Sequence, residues 1–502
     1  MDSPSAASGG GLPRRTFLVA TLSGLTATLA GCTLNEPTPS PTASPTTPPA
    51  TTSAPPSTPP PPGVPEPTAM RRSRWGADPF VRGAYSYDGV GSDHEQRAIL
   101  GEPVRDRLVI AGEATAVDAP GTVHGAYGEG LRAARVIGEL GEAGERVVVV
   151  GGGIAGLAAA RQLVAQGFEV VVVEASDRLG GRLRSIADDD FPTPVELGSP
   201  FVASGGSMRG VLADASVVTE PFAPVIGVRT VQGDVLPGVP PTGWDAIRAA
   251  QAWAVEQPSD VSLAAALVRS GVLPLSIVPD ASGASPAEWL VHAIATAVEP
   301  VAGATTAQIS AVEVDPDRSW PPTSRVVDGW RGLIELLADG LDIAGASAVT
   351  DILLLDDRVS LRLDTGESLR ADRVVVTASL GVLKTDTIAF EPTLPLRQQR
   401  AISLLGMGVV DLVWLRFEEP FWRSTAATDA AGEADSAATG PNVLTVVGEK
   451  PAIAAWLDLG ADSDDGVLVG VIAAEQAVRL EALGDGEFRI EVLASLAPFA
   501  PA

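Results

Sequence analysis

The sequence predicts an α/β fold in two parts, a Rossmann-like dinucleotide domain and a second, α+β domain. Three observations carry this. A buried-strand pattern, Arg146 to Val150 (RVVVV), runs into Gly151-Gly152-Gly153-Ile154-Ala155-Gly156. An apolar helical run, LAAARQLVAQG, follows and stops at Gly167. A second strand, Phe168 to Val173, ends on Glu174, 18 residues after Gly156.

Each position has a physical reason. Gly151 permits the tight turn, Gly153 lets a pyrophosphate approach the backbone, and Gly156 lets helix and strand pack closely. The helix N-terminus at Ile154 and Ala155 favours an anion, and Glu174 can accept hydrogen bonds from ribose hydroxyls. The next stretch is Glu174-Ala175-Ser176-Asp177-Arg178-Leu179-Gly180-Gly181-Arg182. Gly180 and Gly181 expose amides, and Arg178 and Arg182 add charge beside phosphates. This stretch resembles the second phosphate-contacting loop of two-dinucleotide-domain flavoproteins, which implies FAD rather than NAD.

Composition narrows the function. The 502 residues hold 62 acidic and 35 basic side chains, a formal charge of −27. So acidic a chain is ill suited to general nucleic-acid binding. The single cysteine, Cys32, excludes an internal disulfide and a cysteine-based zinc site. Only three histidines are present, His94, His124 and His292, far apart in sequence, and no metal site is predicted.

The first seventy residues read as address and tether. Arg14-Arg15 precede an apolar stretch, Thr16 to Ala30, that is too short for a typical membrane span. The pair resembles a twin-arginine export signal, and Leu29-Ala30-Gly31-Cys32 resembles a bacterial lipobox. The expectation is a signal over 1–32, a lipid on Cys32, and attachment to the outer face of the cytoplasmic membrane by that anchor alone. Residues 33–70 hold 14 of the 42 prolines, which predicts a disordered Pro/Thr/Ser tether.

Further motifs resemble the flavin amine oxidases, the monoamine and polyamine oxidases and histone lysine demethylases. They are Glu196-Leu197-Gly198, Val327-Asp328-Gly329-Trp330, Ala371-Asp372-Arg373 with VVVTASLGVLK, FEPTLP, Gly406-Met407-Gly408 and Phe417-Glu418-Glu419-Pro420-Phe421-Trp422. Ser379 stands where the family has proline. The order departs from the family. RWGADPFVRGAYSY and RLVIAGEATAVDAPGTVHGAYGEGLRAARVI, within residues 74–137, resemble the family's carboxy-terminal end yet precede the glycine motif. This reads as a circular permutation joined near Glu139 to Glu145, the alternatives being a sequence artefact or a segment that completes a neighbouring chain. The FAD domain is expected over 71–200 and 325–390, and the substrate domain over 201–324 and 391–502.

The resemblance implies an FAD-dependent amine oxidoreductase that oxidises a C–N bond of a primary, secondary or polyamine. Dioxygen is the implied acceptor and hydrogen peroxide the product. Gly112, Glu113, Thr122, Val123 and Val349 are expected to join the cofactor contacts. Tyr85 and Tyr127 are expected to form an aromatic cage before the flavin. Ala84 stands where some members attach flavin through cysteine, so the FAD is expected to be non-covalent. Leu412 stands where the family has a lysine near the flavin's N5, and Lys384 reads as structural. Two other readings stay open: a flavin desaturase or protoporphyrinogen-type oxidase, and a flavin-binding surface protein without turnover.

Overall fold

The computed structural model describes residues 60–202, 208–315, 321–322, 324–423, 440–460 and 464–501. The signal over 1–32, Cys32 and most of the tether lie outside the described residues. No described helix is long and apolar enough to cross a membrane.

A five-stranded parallel sheet runs in the order Asp342–Ala344, Glu169–Val173, Arg146–Val150, Arg373–Val376, Leu108–Ile110. Its three central strands, Glu169–Val173, Arg146–Val150 and Arg373–Val376, are near-continuous valine because both faces are covered. Val147, Val149, Val172 and Val375 pack with Ala133, Ala134 and Ile137 of the helix Val123–Leu140 and Ala159, Ala160 and Leu163 of the helix Ile154–Ala165. The two helices cross closely at Gly130, where a Cβ would lie 2.2 Å from the Ala155 carbonyl oxygen. Leu108–Ile110 and Val123–Leu140 precede the glycine motif in sequence, yet both complete the sheet that the motif begins.

A seven-stranded sheet runs in the order Ala69–Arg72, Val410–Phe417, Gly466–Ala473, Ala455–Asp458, Val443–Val447, Ile226–Thr230, Val235–Leu236. Helices Thr242–Val255, Leu263–Arg269 and Pro286–Ala293 pack around their own apolar cluster. A short ribbon joins Tyr85–Asp88 to Leu405–Gly408, with Tyr85 opposite Gly408 and Tyr87 opposite Gly406.

Two expectations are corrected. Residues 60–70 are not tether: Val64 is buried among Leu496, Phe499 and Trp422, and Ala69–Arg72 pairs antiparallel with Val413 to Arg416. The apolar side chain of Val64 finds a core that the prolines around it do not reveal. Accordingly, residues 71–72 join the seven-stranded sheet, not the dinucleotide sheet. The strands Ala69–Arg72, Tyr85–Asp88 and Leu108–Ile110 pair with strands far along the sequence.

Candidate functional site

A cavity of ≈ 640 Å³ opens along the carboxyl ends of the parallel strands and reaches the face of the seven-stranded sheet. The volume lies within the range of cofactor sites, and the place is where open α/β sheets bind ligands.

The glycine loop builds one end. Gly151 has φ +109°, and a Cβ there would press the Thr377 hydroxyl at 2.5 Å. At Gly156 a Cβ would meet the Gly151 carbonyl oxygen at 1.9 Å. At Gly153 a Cβ would meet nothing within 4 Å, so its bareness faces open space. Gly153 caps the helix with no side chain, leaving the first amides available beside Ile154 and Ala155 on the cavity wall. The second loop is zipped to the first: the Gly180 N–H donates to the Gly152 carbonyl at 2.9 Å. Gly180 and Gly181 both hold positive φ, +98° and +56°.

Acidic groups at this end are met by several donors. Glu174 accepts from the Gly152 N–H at 2.6 Å and from the Ser176 N–H and hydroxyl at 2.8 Å. A carboxylate oxygen accepts more than one bond, so capacity toward a ribose remains. Ala175 and Val349 line the same stretch of wall. Glu113 follows Gly112, whose φ is +147°. Glu113 is 4% exposed and accepts from Arg182 at 2.7 Å, the Ser86 hydroxyl at 2.7 Å and the Gly121 N–H at 3.0 Å. Burial pushes this carboxyl up, but Arg182, Ser86 and Arg97 together bring it below the ordinary carboxylate range. Arg182 also donates to the Ala84 carbonyl at 2.9 Å. Thus Glu113 ties the arginine loop, the strand Tyr85–Asp88 and the helix entry at Gly121 together. Arg178, Thr122, Val123 and His124 also line the cavity, and the Thr122 hydroxyl caps its helix by accepting from the Gly125 N–H at 3.0 Å.

The other end is made by side chains. Tyr85 lines the cavity, and its phenol donates to the Pro300 carbonyl. Tyr127 does not line it, which corrects the expected cage. The helix starts at Val123, so Tyr127 sits a turn, about 6 Å, further along the axis. There it packs against the apolar cluster that includes Leu157, Trp330 and Leu333. The neighbours of Tyr85 across this entry are Gly121, where a Cβ would lie 3.4 Å from the tyrosine's own Cβ, and Thr122.

Sequence reasoning missed Tyr87. In the strand Tyr85-Ser86-Tyr87-Asp88 the period of two puts both tyrosines on one face. The Tyr87 ring occupies the space a Cβ of Gly406 would need. It lines a smaller cavity of ≈ 70 Å³ with Trp244, Arg97, Asp88 and Glu313. Arg97 is spent on Asp88 through two bonds of 3.0 Å. Burial raises the Glu313 carboxyl, and Asp88, Asp93 and Asp260 raise it further. Val301 lines both cavities.

Trp75, Val410 and Leu412 close the wall of the large cavity. Leu412 is buried and presents no charge. Behind it, Asp411 accepts from the Ser73 hydroxyl at 2.7 Å and the Trp75 N–H at 3.0 Å. Burial and the nearby Glu481 push Asp411 up to about 8. Glu196 is pushed by burial up to about 7, against bonds from Ser185, Arg184 and Gly198. Among the described residues no group of His, Cys, Asp and Glu is disposed to hold a metal.

A cavity with two glycine loops at one end and an aromatic, water-excluding wall at the other defines a flavin-type α/β oxidoreductase. The family model "flavin containing amine oxidoreductase" matches residues 57–138 and 275–502, well over half of the chain. A NAD(P)-binding Rossmann-like domain model matches residues 149–214. The chain belongs to the flavin-containing amine oxidoreductases, and its cofactor is FAD, which the bare Gly153 and the free helix amides fit. The chain is 31% identical over 311 residues to polyamine oxidase 2 of Arabidopsis thaliana, covering 55% of this chain and 59% of that relative. It is 29% identical over 367 residues to polyamine oxidase 4 of Oryza sativa subsp. japonica, covering 68% and 70%. Among solved structures, wild-type putrescine oxidase bound to putrescine aligns with TM-score 0.54 and 20% identity, over 72% of this chain and 82% of its own, a likeness of fold alone.

Proposed function

We propose that this chain oxidises a C–N bond of an amine that arrives as a cation and loses its nitrogen proton to solvent before hydride leaves the carbon, with Tyr85 as the side chain that receives it. The observation that carries this is Tyr85 on the cavity wall, its phenol tied to Pro300, in a cavity that also holds the FAD cradle. Bound FAD supplies the two-electron acceptor, and dioxygen the final oxidant with hydrogen peroxide as product. Gly151, Gly153, the helix amides at Ile154 and Ala155, and Gly180 to Arg182 hold its phosphates, while Glu174 and Glu113 anchor its hydroxyls. Ala84 lines the cavity at the place where some members attach flavin through cysteine, and the FAD is read as non-covalent. The Tyr85 ring attracts the ammonium by cation–π interaction, worth about 0.5–2 kcal/mol. Trp75 and Leu412 keep water from the reacting carbon.

The names of the relatives, polyamine oxidase and putrescine oxidase, point to amines with more than one nitrogen. Tyr85 and Tyr87 are two residues apart on one strand face, about 7 Å. A short aliphatic diamine bridges such a spacing, its second nitrogen beside Glu313 and the Tyr87 ring. Leu412 places no charge at the wall, so reoxidation by dioxygen is expected to be slow.

The test is to load the chain with FAD and follow flavin absorbance with mono-, di- and polyamines, first without and then with oxygen. Bleaching by diamines ahead of monoamines, with peroxide on reoxidation, is the expected result. Leu412→Lys is expected to speed reoxidation, and an unchanged rate removes that role. Bound flavin that no amine bleaches overturns the proposal in favour of a desaturase-type substrate or a binding role.

We also propose that the chain is a circular permutant with two intertwined domains. Gly63 lies against the far end of the fold, where its Cβ would be 3.0 Å from that of Ala500, so the two ends are close enough to have been joined. A chain with residues 60–137 moved after Pro501 is expected to fold and bind FAD; one that does neither removes this reading. From residues 13–32 we propose export and a lipid on Cys32, tested by whether Cys32→Ala frees the protein from the membrane fraction.

A further inference from the structure

The turn that receives the Tyr85 phenol has an unusual history along the chain. The helix Pro286–Ala293 passes into one turn of π-helix, Ile294–Val298, and then into the short turn Glu299–Ala302. Such widened turns are rare and gather at functional sites. The short turn ends at Gly303, φ +66°, whose carbonyl accepts from the Val409 N–H at 2.8 Å. It is thus wedged between Tyr85 and the strand that carries Leu412.

Glu299, its first residue, is 3% exposed. Its carboxylate is paired with Lys450 at 2.8 Å, across 151 residues of sequence. The chain has two lysines; the other, Lys384, is spent on the Ile402 and Ser403 carbonyls. Burial raises the Glu299 carboxyl, Lys450 lowers it and Glu475 raises it again. Among the described residues, the other charged side chains on the elements named here as packed against this turn have partners. The strand Gly466–Ala473 and the π turn carry none, Asp88 is held by Arg97, Glu481 by the Gly76 N–H and Arg479 by Glu491.

We infer that Lys450 is a positioning residue for the amine-facing wall: it holds Glu299 in place, and through the same turn the Pro300 carbonyl that orients the Tyr85 phenol. The physical reason is asymmetry. Lys450 is a third exposed and can be solvated alone, whereas Glu299 is buried and cannot remain an ion without it. Removing Lys450 therefore forces Glu299 either to take a proton or to pull its turn outward, and Pro300 moves with it. The inference rests on the reading that Tyr85 faces bound amine.

The test uses the FAD-loaded full chain and the variants Lys450→Met, Glu299→Gln and both together. The probe is benzyltrimethylammonium, which has no nitrogen lone pair and is not oxidised. Its binding is read as a change in flavin absorbance between pH 6 and 9. Lys450→Met is expected to weaken binding about tenfold at pH 8, with recovery as the pH falls and Glu299 takes its proton. The double variant is expected to bind within about threefold of the unaltered chain at every pH, as is Glu299→Gln alone. A Lys450→Met chain that binds normally, a Glu299→Gln chain as weak as Lys450→Met, or a double variant that is not rescued each overturns the inference. If Lys450→Met fails to fold, the double variant must fold, and its failure is equally decisive. If no amine bleaches the flavin and the probe does not bind, the proposed function has failed, and the flavin band itself decides this inference. Lys450→Met must then shift the band at pH 8 and the double variant restore it; an unshifted band overturns it.

Discussion

The two ends of the cavity are built by opposite means. The cradle end is backbone from one continuous stretch, Gly151 to Arg182, with Glu113 and Glu174 each accepting from several donors. The amine-facing end is side chains from distant stretches, Trp75, Tyr85, Pro300 and Leu412, backed by buried acids that lack a cation, Glu196 and Asp411. The cradle binds charge and stays charged; the wall excludes charge and favours neutral acids. What differs is the source of geometry: local φ/ψ at one end, tertiary packing at the other.

The largest effect expected from breaking this division lies within the cradle. Gly156→Val puts side-chain atoms onto the Gly151 carbonyl and is expected to abolish folding, whereas Gly153→Val meets no protein atom and is expected to abolish only FAD binding. Soluble yield and flavin content of the two variants separate these outcomes; a Gly153→Val chain that keeps its flavin removes the role assigned to that position.

The wall gives the next effect. Glu196 and Asp411 have folded pKa values above their unfolded ones, so the stability they contribute is present below about pH 4 and lost as pH rises through about 7 and about 8. Between pH 6 and 9 the loss is expected to be on the order of 4 kcal/mol. Denaturant unfolding across that range measures it, and Glu196→Gln with Asp411→Asn is expected to flatten the profile. A stability that rises over the same range contradicts the assignment of neutral acids.

The smallest effect sharpens the comparison between two tyrosines. Tyr85→Ala is expected to weaken amine bleaching of the flavin about tenfold with little loss of stability. Tyr127→Ala is expected to cost about 1–3 kcal/mol of stability and leave bleaching unchanged. Paired unfolding and bleaching measurements decide, and a swap of the two phenotypes returns Tyr127 to the site.

The same division explains what the sequence made legible. The cradle could be read because its glycines and Glu174 are fixed by spacing along one strand, turn and helix. The wall could not. A motif alone places Tyr127 without the phase of a helix that begins at Val123 and packs it against a separate apolar cluster. Tyr87 was passed over although it shares a strand face with Tyr85, because the flanking glycine that admits its ring, Gly406, lies over 300 residues away. Lys450 and Glu299 carry no motif at all; only the fold brings them to 2.8 Å. Val64 was hidden by the composition around it, since proline content predicts disorder without regard to one buried side chain.

The order of the strands has a consequence for synthesis. The Ser73 hydroxyl receives the Leu412 N–H from 339 residues further along, and the strand Ala69–Arg72 pairs beside it. At about 5–20 residues per second a ribosome takes roughly 20–70 s to make that stretch. For that time the first strand of the fold has no partner, and the parallel sheet lacks Arg373–Val376, the strand that joins Leu108–Ile110 to Arg146–Val150. The nascent chain must be kept from pairing its open edges with other chains until the strand Val410–Phe417 emerges. The strand Ala69–Arg72 is therefore made long before it is paired, and a chaperone that guards exposed strands has its longest task there.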